Sequence, residues 1–237
     1  MGRMWAIAAT VLVILGGAGT AAAADVTAGM DVVSAYVWRG ITFNDGLVLQ
    51  PSVDVSSNGF GINVWGNLDV DDYDDTLDSG EFSEVDITLS YGFDLDPVSV
   101  TVGYIDYLFP NGIEGTREAF LGVSTEPVPG VSLGLTGYYD FDEVDDYYFN
   151  LGVGYAHEFN GGLAMGVSAS AGYAGEDMSA GDDGGLNEYT LGVDATYVVT
   201  EALCLGAFVA YTDTFDEDVL PEQDVDVYGG ASISYSF

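Results

Sequence analysis

Nearly every side chain in this sequence that could do chemistry is a carboxylate. Thirty-nine Asp and Glu stand against three Lys and Arg, giving a formal net charge of −36 over 237 residues. Lys is absent, and beyond the first 24 residues the cations are Arg39 and Arg117. Nucleic-acid binding needs cationic footprints on phosphates, so this balance excludes it. The single histidine, His157, shares the parity of an outward apolar face. An acyl-transfer site needs its imidazole beside an inward serine, so no enzyme is expected. Gly152-Val153-Gly154 lies inside a strand pattern and is no nucleotide fingerprint. Neither a Walker loop nor zinc-ligand spacing is present, and no cofactor is expected. The stretch from Asp69 to Glu81 holds enough carboxylate for Ca²⁺ but lacks the EF-hand order with its central Gly. It reads as a solvated acidic loop, with Asp71, Asp72, Asp74 and Asp75 as weak metal candidates. Cys204 has no second cysteine to pair with and reads as a small packed inner residue.

The elements that must position these groups are strands. From Asp224 to Phe237 the residues Val225, Val227, Gly229, Ala231, Ile233, Tyr235 and Phe237 alternate with a mostly polar or small set. Period-two alternation over that length signals a strand with one apolar and one polar face. It exceeds the usual soluble strand and suits a tilted membrane strand of roughly 9–11 residues. The same pattern predicts strands over Val26–Arg39, Gly46–Ser57, Phe60–Asp69, Phe82–Asp94, Val98–Leu108 and Arg117–Glu126. Five more end near Phe141, Phe159, Tyr173, Thr200 and Asp213, and the last closes the chain. The turns near Asn58, Asp96, Val128, Asn160 and Thr200 are short, and the intervening connections are longer or more acidic. Such segregation over an even strand number predicts an all-β fold, a transmembrane antiparallel up-and-down β-barrel of twelve strands.

The aromatic residues fit the same reading. Tyr36, Trp38, Tyr104, Tyr139, Phe141, Tyr147, Phe149, Tyr173, Tyr189 and Tyr211 are expected at the outer interface. Phe60, Tyr91, Phe93, Phe159, Tyr197, Tyr235 and Phe237 are expected at the periplasmic one. Two girdles on a lipid-facing surface suit rings that favour membrane interfaces. The partners expected are therefore outer-membrane lipid and lipopolysaccharide, in a bacterial outer membrane.

The inward face collects Asp31, Arg39, Asp54, Asp69, Glu84, Asp86, Glu118, Asp140, Glu158, Glu188, Asp194 and Asp226. Lipid-facing charge at mid-depth is costly, so inward placement is what a barrel imposes. The residues expected to line a pore and set its selectivity are Arg39, Asp31, Asp54, Trp65, Asp69, Glu84 and Asp86. Arg39 should pair with inward acids, either stapling neighbouring strands or standing as a fixed positive charge at a constriction. A barrel of this size falls between filled small barrels and open porins. It predicts a narrow passive path for small hydrophilic solutes with a preference for cations. The alternative is a plugged structural or adhesion barrel whose acidic loops bind divalent cations. Packed inner aromatics favour the second, and a continuous polar path the first. The acidity fits either a saline habitat or a negative field at the pore mouth.

Residues 1–24 read as a cleaved leader: Arg3 in the charged region, Met4 to Leu15 apolar, and Ala22-Ala23-Ala24 before the cut. Residues 25–237 are then the barrel. The segments Tyr36-Val37-Trp38-Arg39-Gly40-Ile41-Thr42, Gln50-Pro51 and Val64-Trp65-Gly66-Asn67 with Asp69 resemble the TorF-type family of outer-membrane porins. In that family an aromatic-x-aromatic-Arg-Gly-Ile segment closes the first strand. The likeness covers about the first quarter of the chain, and implies an outer-membrane barrel for passive transport with no catalytic residues to carry over.

Overall fold

The structure, a computed structural model, describes residues 24–237, and the leader expected at 1–24 lies outside the described residues apart from Ala24. It contains β1 (Asp25–Val33), β2 (Tyr36–Trp38), β3 (Ile41–Asn44), β4 (Val48–Ser57), β5 (Phe60–Asp69), β6 (Phe82–Leu95) and β7 (Val98–Leu108). There follow β8 (Thr116–Val128), β9 (Val131–Asp140), β10 (Tyr147–Glu158), β11 (Leu163–Ala174), β12 (Gly185–Val198), β13 (Leu203–Thr214) and β14 (Val227–Ser236). Twelve of them form a closed antiparallel barrel in the order β1, β14, β13 and so on down to β4, with β4 returning to β1. The seam between β1 and β14 runs from Thr27 opposite Ser236 to Val33 opposite Gly230. Closure leaves no sheet edge, which is what lets strands cross a bilayer with every backbone group satisfied.

The alternation divides the wall as its chemistry requires. Leu121, Leu135, Leu151, Val153, Val167, Val193 and Val209 are exposed on the outside. Such a continuous apolar surface matches hydrocarbon rather than water. At the short-turn end Phe60, Tyr91, Phe93, Phe159, Tyr197, Tyr235 and Phe237 are exposed, and at the long-loop end Tyr139, Phe141, Tyr147, Phe149, Tyr173 and Tyr211 are too. His157 is exposed beside Phe159, ring centroids 4.7 Å apart, on the outer surface near a short turn. Asn58-Gly59 turns with φ of 50° and 86°, the two-residue hairpin its sequence announces.

The first strand departs from expectation. Rather than running to Arg39 it stops at Val33, and β2 and β3 form a separate two-stranded sheet. Trp38 pairs with Ile41 across Arg39 and Gly40, whose φ values of 51° and 81° make a tight two-residue turn. Gly40 is needed for a second reason: a Cβ there would stand 2.7 Å from Glu188 Cβ and Leu220 Cδ2. Tyr36 is 7 % exposed, so Tyr36 and Trp38 are not outer-girdle residues; they are packed inside the barrel with Val33, Val48, Trp65, Phe208 and Tyr228. The reason is chemical. Left on the wall, the row ending in Arg39 would have continued outward past the sheet, whereas folded inward its polar tips meet the carboxylates of the inner face.

Candidate functional site

The hairpin joins the long-loop ends of β1 and β4, where Val33 pairs with Val48. It reaches across the lumen to residues that lie near the same ends of the facing strands. Arg39 meets Glu118 on β8, which is five strands round the wall from β1 by the shorter route (β4, β5, β6, β7, β8). The pair is bidentate, Nη1 to Oε1 at 2.8 Å and Nη2 to Oε2 at 2.7 Å, and the side chains are 9 % and 1 % exposed. Tyr107 Oη donates to the same carboxylate at 2.9 Å. The guanidinium lies 4.2, 4.6 and 4.3 Å from the ring centroids of Trp38, Tyr138 and Tyr148. A planar, weakly hydrated cation between aromatic faces with a two-pronged carboxylate is the geometry that favours Arg over Lys. The expectation that Arg39 staples neighbouring strands is therefore corrected: it ties the hairpin tip to a distant strand.

The remaining contacts hold the hairpin along its length. Tyr36 Oη donates to Glu84 Oε2 at 2.7 Å, and Asn44 Nδ2 donates to Asp69 Oδ1 at 2.8 Å. Thr42 N donates to Gln223 Oε1 at 2.9 Å, and Asn187 Nδ2 donates to the carbonyl of Arg39 at 2.8 Å. Tyr148 donates to Glu188. Met178 Sδ and the fully buried Leu220 reach the hairpin from the connections 175–184 and 215–226. The expected candidates divide accordingly. Glu84 and Asp69 anchor the hairpin, Trp65 packs against Tyr36 with centroids 5.5 Å apart, and Asp86 sits beside Trp65 and Tyr107 in the ladders. One oxygen of Asp86 is buried without a partner among the described residues.

Asp31 and Asp54 lie apart from the hairpin on β1 and β4, and Asn63 Nδ2 donates to Asp54 Oδ1 at 2.8 Å. Below the hairpin, toward the short turns, the inner positions are Gly, Ser and Thr for long runs. On β10, β11 and β12 Gly154, Ser168 and Gly192 stand side by side, as do Gly152, Ser170 and Thr190. Asp194 overlies Gly166 in this region. The hydrogen-bonding and anchoring roles of Glu118, Glu188, Asn44 and Asn187 went unread in the sequence. The inward parity of Glu118 and Glu188 was visible there, but nothing in the linear pattern marks a partner five strands away.

Among the described residues no group of three His, Cys, Asp or Glu is arranged to hold a metal ion. Asp72 is engaged otherwise: its oxygens accept the amides of Asp74, Thr76 and Leu77 and the hydroxyl of Thr76. Desolvation pushes its carboxyl up, but these hydrogen bonds outweigh it and hold the group below the usual carboxylate range. Asp74 moves up, chiefly because it faces the negative charge of Asp45.

Solved structures with the same fold are outer-membrane channels. The KdgM porin in complex with disordered oligogalacturonate is 11 % identical, with a TM-score of 0.57 over 90 % of this chain and 99 % of that one. An outer-membrane channel from Pseudomonas putida F1 is 9 % identical, with a TM-score of 0.54 over 93 % and 97 % of the two chains. The NanC porin is 13 % identical, with a TM-score of 0.52 over 90 % and 98 %. Likeness at these identities shows the fold. No curated protein matches the chain. The comparisons name no TorF-type family; the family model that matches, over residues 17–233, is Gcw_chp, described as a bacterial protein of unknown function, and the chain belongs to that family.

Proposed function

We propose that residues 25–237, after removal of the leader, form an outer-membrane channel for passive diffusion of small hydrophilic solutes, with a preference for cations. The observation that carries the reading is the sign of the inner charges. Below the hairpin the inward charged positions are acidic, Asp31, Asp54, Asp194 and Glu158 among them, on a wall rich in Gly, Ser and Thr. The interior guanidinium is neutralised by Glu118. A low-dielectric wall with one sign of charge concentrates counter-ions, so cations are favoured over anions. Arg39 then acts as the latch of a constriction at the long-loop mouth.

A second reading, a plugged structural or adhesion barrel with acidic outer loops, draws support from the packing of Tyr36, Trp38, Trp65, Phe208 and Tyr228 around the hairpin. Conductance separates the two. The folded chain is reconstituted in planar bilayers across a KCl gradient. Discrete conductance steps with a cation-side reversal potential are expected, and Asp54→Asn with Asp194→Asn should move that potential toward zero. A folded barrel that stays silent would sink the channel and leave the plugged reading.

A further inference from the structure

Arg39 sits in a pocket whose walls the barrel itself supplies. Glu118, Tyr138 and Tyr148 stand on β8, β9 and β10, three adjacent wall strands, and Tyr138 is directly opposite Tyr148 in the ladder. Their ring centroids lie 6.1 Å apart, and Phe120 continues the row 5.8 Å from Tyr138. Tyr107 holds the Glu118 carboxylate from β7. None of these groups belongs to the hairpin, so the wall ladders set their positions.

The occupant shows what chemistry the pocket takes. Two N–H bonds to one carboxylate, with flat faces 4.6 and 4.3 Å from the guanidinium carbon, suit a planar delocalised cation better than a compact ammonium. The hairpin is held by a divided set of anchors. Tyr36 on Glu84 and Asn44 on Asp69 fasten its base, whereas its tip rests on the Glu118 pair and on contacts with Asn187, Met178 and Leu220. The tip can therefore lift while the base stays docked. Toward the short turns the inward positions of β8, β9 and β10 are chiefly small, Gly122, Thr136 and Gly152 among them, which gives a solute room to reach the tip from the lumen.

We propose that Glu118, Tyr138 and Tyr148 form a lumenal binding site for guanidinium-bearing solutes, and that Arg39 fills it as a tethered competitor which such a solute displaces. The hairpin tip is then an autoinhibitory contact, released by a class of solute that an acidic lumen concentrates. Glu118 is 1 % exposed, and a buried carboxylate left without a cation is costly, so departure of Arg39 is favoured only when a replacement arrives. Tethering raises the local concentration of Arg39, and a free solute should need about a hundredfold more to enter the filled site than the empty one. The site rests on the channel reading only in that the lumen must admit cations.

The test presents the detergent-solubilised full barrel with ethylguanidinium, and separately with ethylammonium at equal ionic strength. Saturation-transfer NMR reads binding, and amide exchange of residues 36–44 reads hairpin docking. Arg39→Ala, whose site is empty, should bind ethylguanidinium saturably and ethylammonium about tenfold more weakly. In that background Glu118→Gln should remove the saturable binding, Tyr138→Leu should weaken it about tenfold, and Tyr138→Phe should keep it. In the parent chain about a hundredfold more ethylguanidinium should be needed. Exchange at 36–44 should then rise with occupancy while the centres of β10 to β13 stay protected, which separates displacement from denaturation. Heat-dependent gel mobility shows that each variant is folded. The proposal is overturned if ethylguanidinium does not saturate on Arg39→Ala, if ethylammonium binds equally well, or if the parent chain binds it with residues 36–44 still protected. A barrel that binds but carries no current in bilayers sinks the channel and leaves the site; one that conducts without saturable binding sinks the site and leaves the channel.

Discussion

Removing the guanidinium of Arg39 should release the hairpin without unfolding the barrel. The Arg39–Glu118 pair is bidentate, buried and far from the ladder bonds that hold the wall. Removing one partner of a buried pair costs about 3–5 kcal/mol, because the other charge is left uncompensated. At 1.4 kcal/mol per tenfold, Arg39→Ala should weaken hairpin docking between roughly a hundredfold and a few thousandfold. Amide hydrogen exchange reads this directly: protection of residues 36–44 should fall by that factor while the centres of β10 to β13 keep theirs. The double variant Arg39→Met, Glu118→Leu provides a second arm. Replacing a buried pair by apolar groups of similar volume is often neutral or stabilising, so its hairpin should recover most of the lost protection. Equal protection of the hairpin in Arg39→Ala and the parent chain would refute the latch. So would a double variant no better than the single one, because the cost would then not arise from the stranded carboxylate.

Other perturbations test separate links. Tyr36→Phe deletes the 2.7 Å bond to Glu84 and should loosen the hairpin by about 1.5–3 kcal/mol, read by the same exchange experiment. Asp72 is held below its ordinary range by amides that bond its ionised form, so its contribution to ordering residues 72–77 is complete above the unfolded pKa of about 3.9. That contribution is lost as pH falls through the lower folded value; exchange in this loop should rise below about pH 4 in the parent chain, and Asp72→Asn should remove the dependence. Leu151→Arg places charge on the lipid face at mid-strand, where Leu151 is 59 % exposed, and should cost about 2–4 kcal/mol of barrel stability in reversible urea unfolding from bilayers. Ser170→Arg on the facing inner wall should cost much less.

Wall strands were legible in the sequence because a barrel imposes one rule on every residue of a strand. Parity placed Ile233 outward and Asp194 inward without knowledge of any neighbour, and the Asn58-Gly59 turn fixed its own hairpin. The inner hairpin was not legible, since residues 26–33 and 36–39 carry one continuous alternation and only the bend at Ser34 separates wall from plug. Tyr36 and Trp38 obey lipid-facing parity, yet their partners are Glu84, Trp65 and Tyr107, contributed by strands that are distant in sequence. Period-two patterns report which face a residue occupies, not whether the segment has left the sheet. The Arg39-Gly40 pair was the available signal, because two consecutive residues at positive φ make a tight turn and not a strand end.

The acidity of the chain raises the question of how Arg39 chooses Glu118 when carboxylates line the inner face on almost every side. Charge alone does not discriminate, because Glu84, Asp86 and Glu188 lie near the same mouth. The choice is made by the uncharged surroundings. Tyr107 Oη fixes the Glu118 carboxylate, Tyr138 and Tyr148 supply flat faces at 4.6 and 4.3 Å, and Glu188 is already bonded by Tyr148 and Asn187. Glu84 is likewise taken by Tyr36. Glu84 and Glu188 are thus each engaged by donors of their own, while Glu118 presents both oxygens to the planar fork. The tyrosines therefore set the docking register of the hairpin, and Tyr148→Phe should free Glu188 to compete for Arg39 even though it removes no part of the Arg39–Glu118 pair.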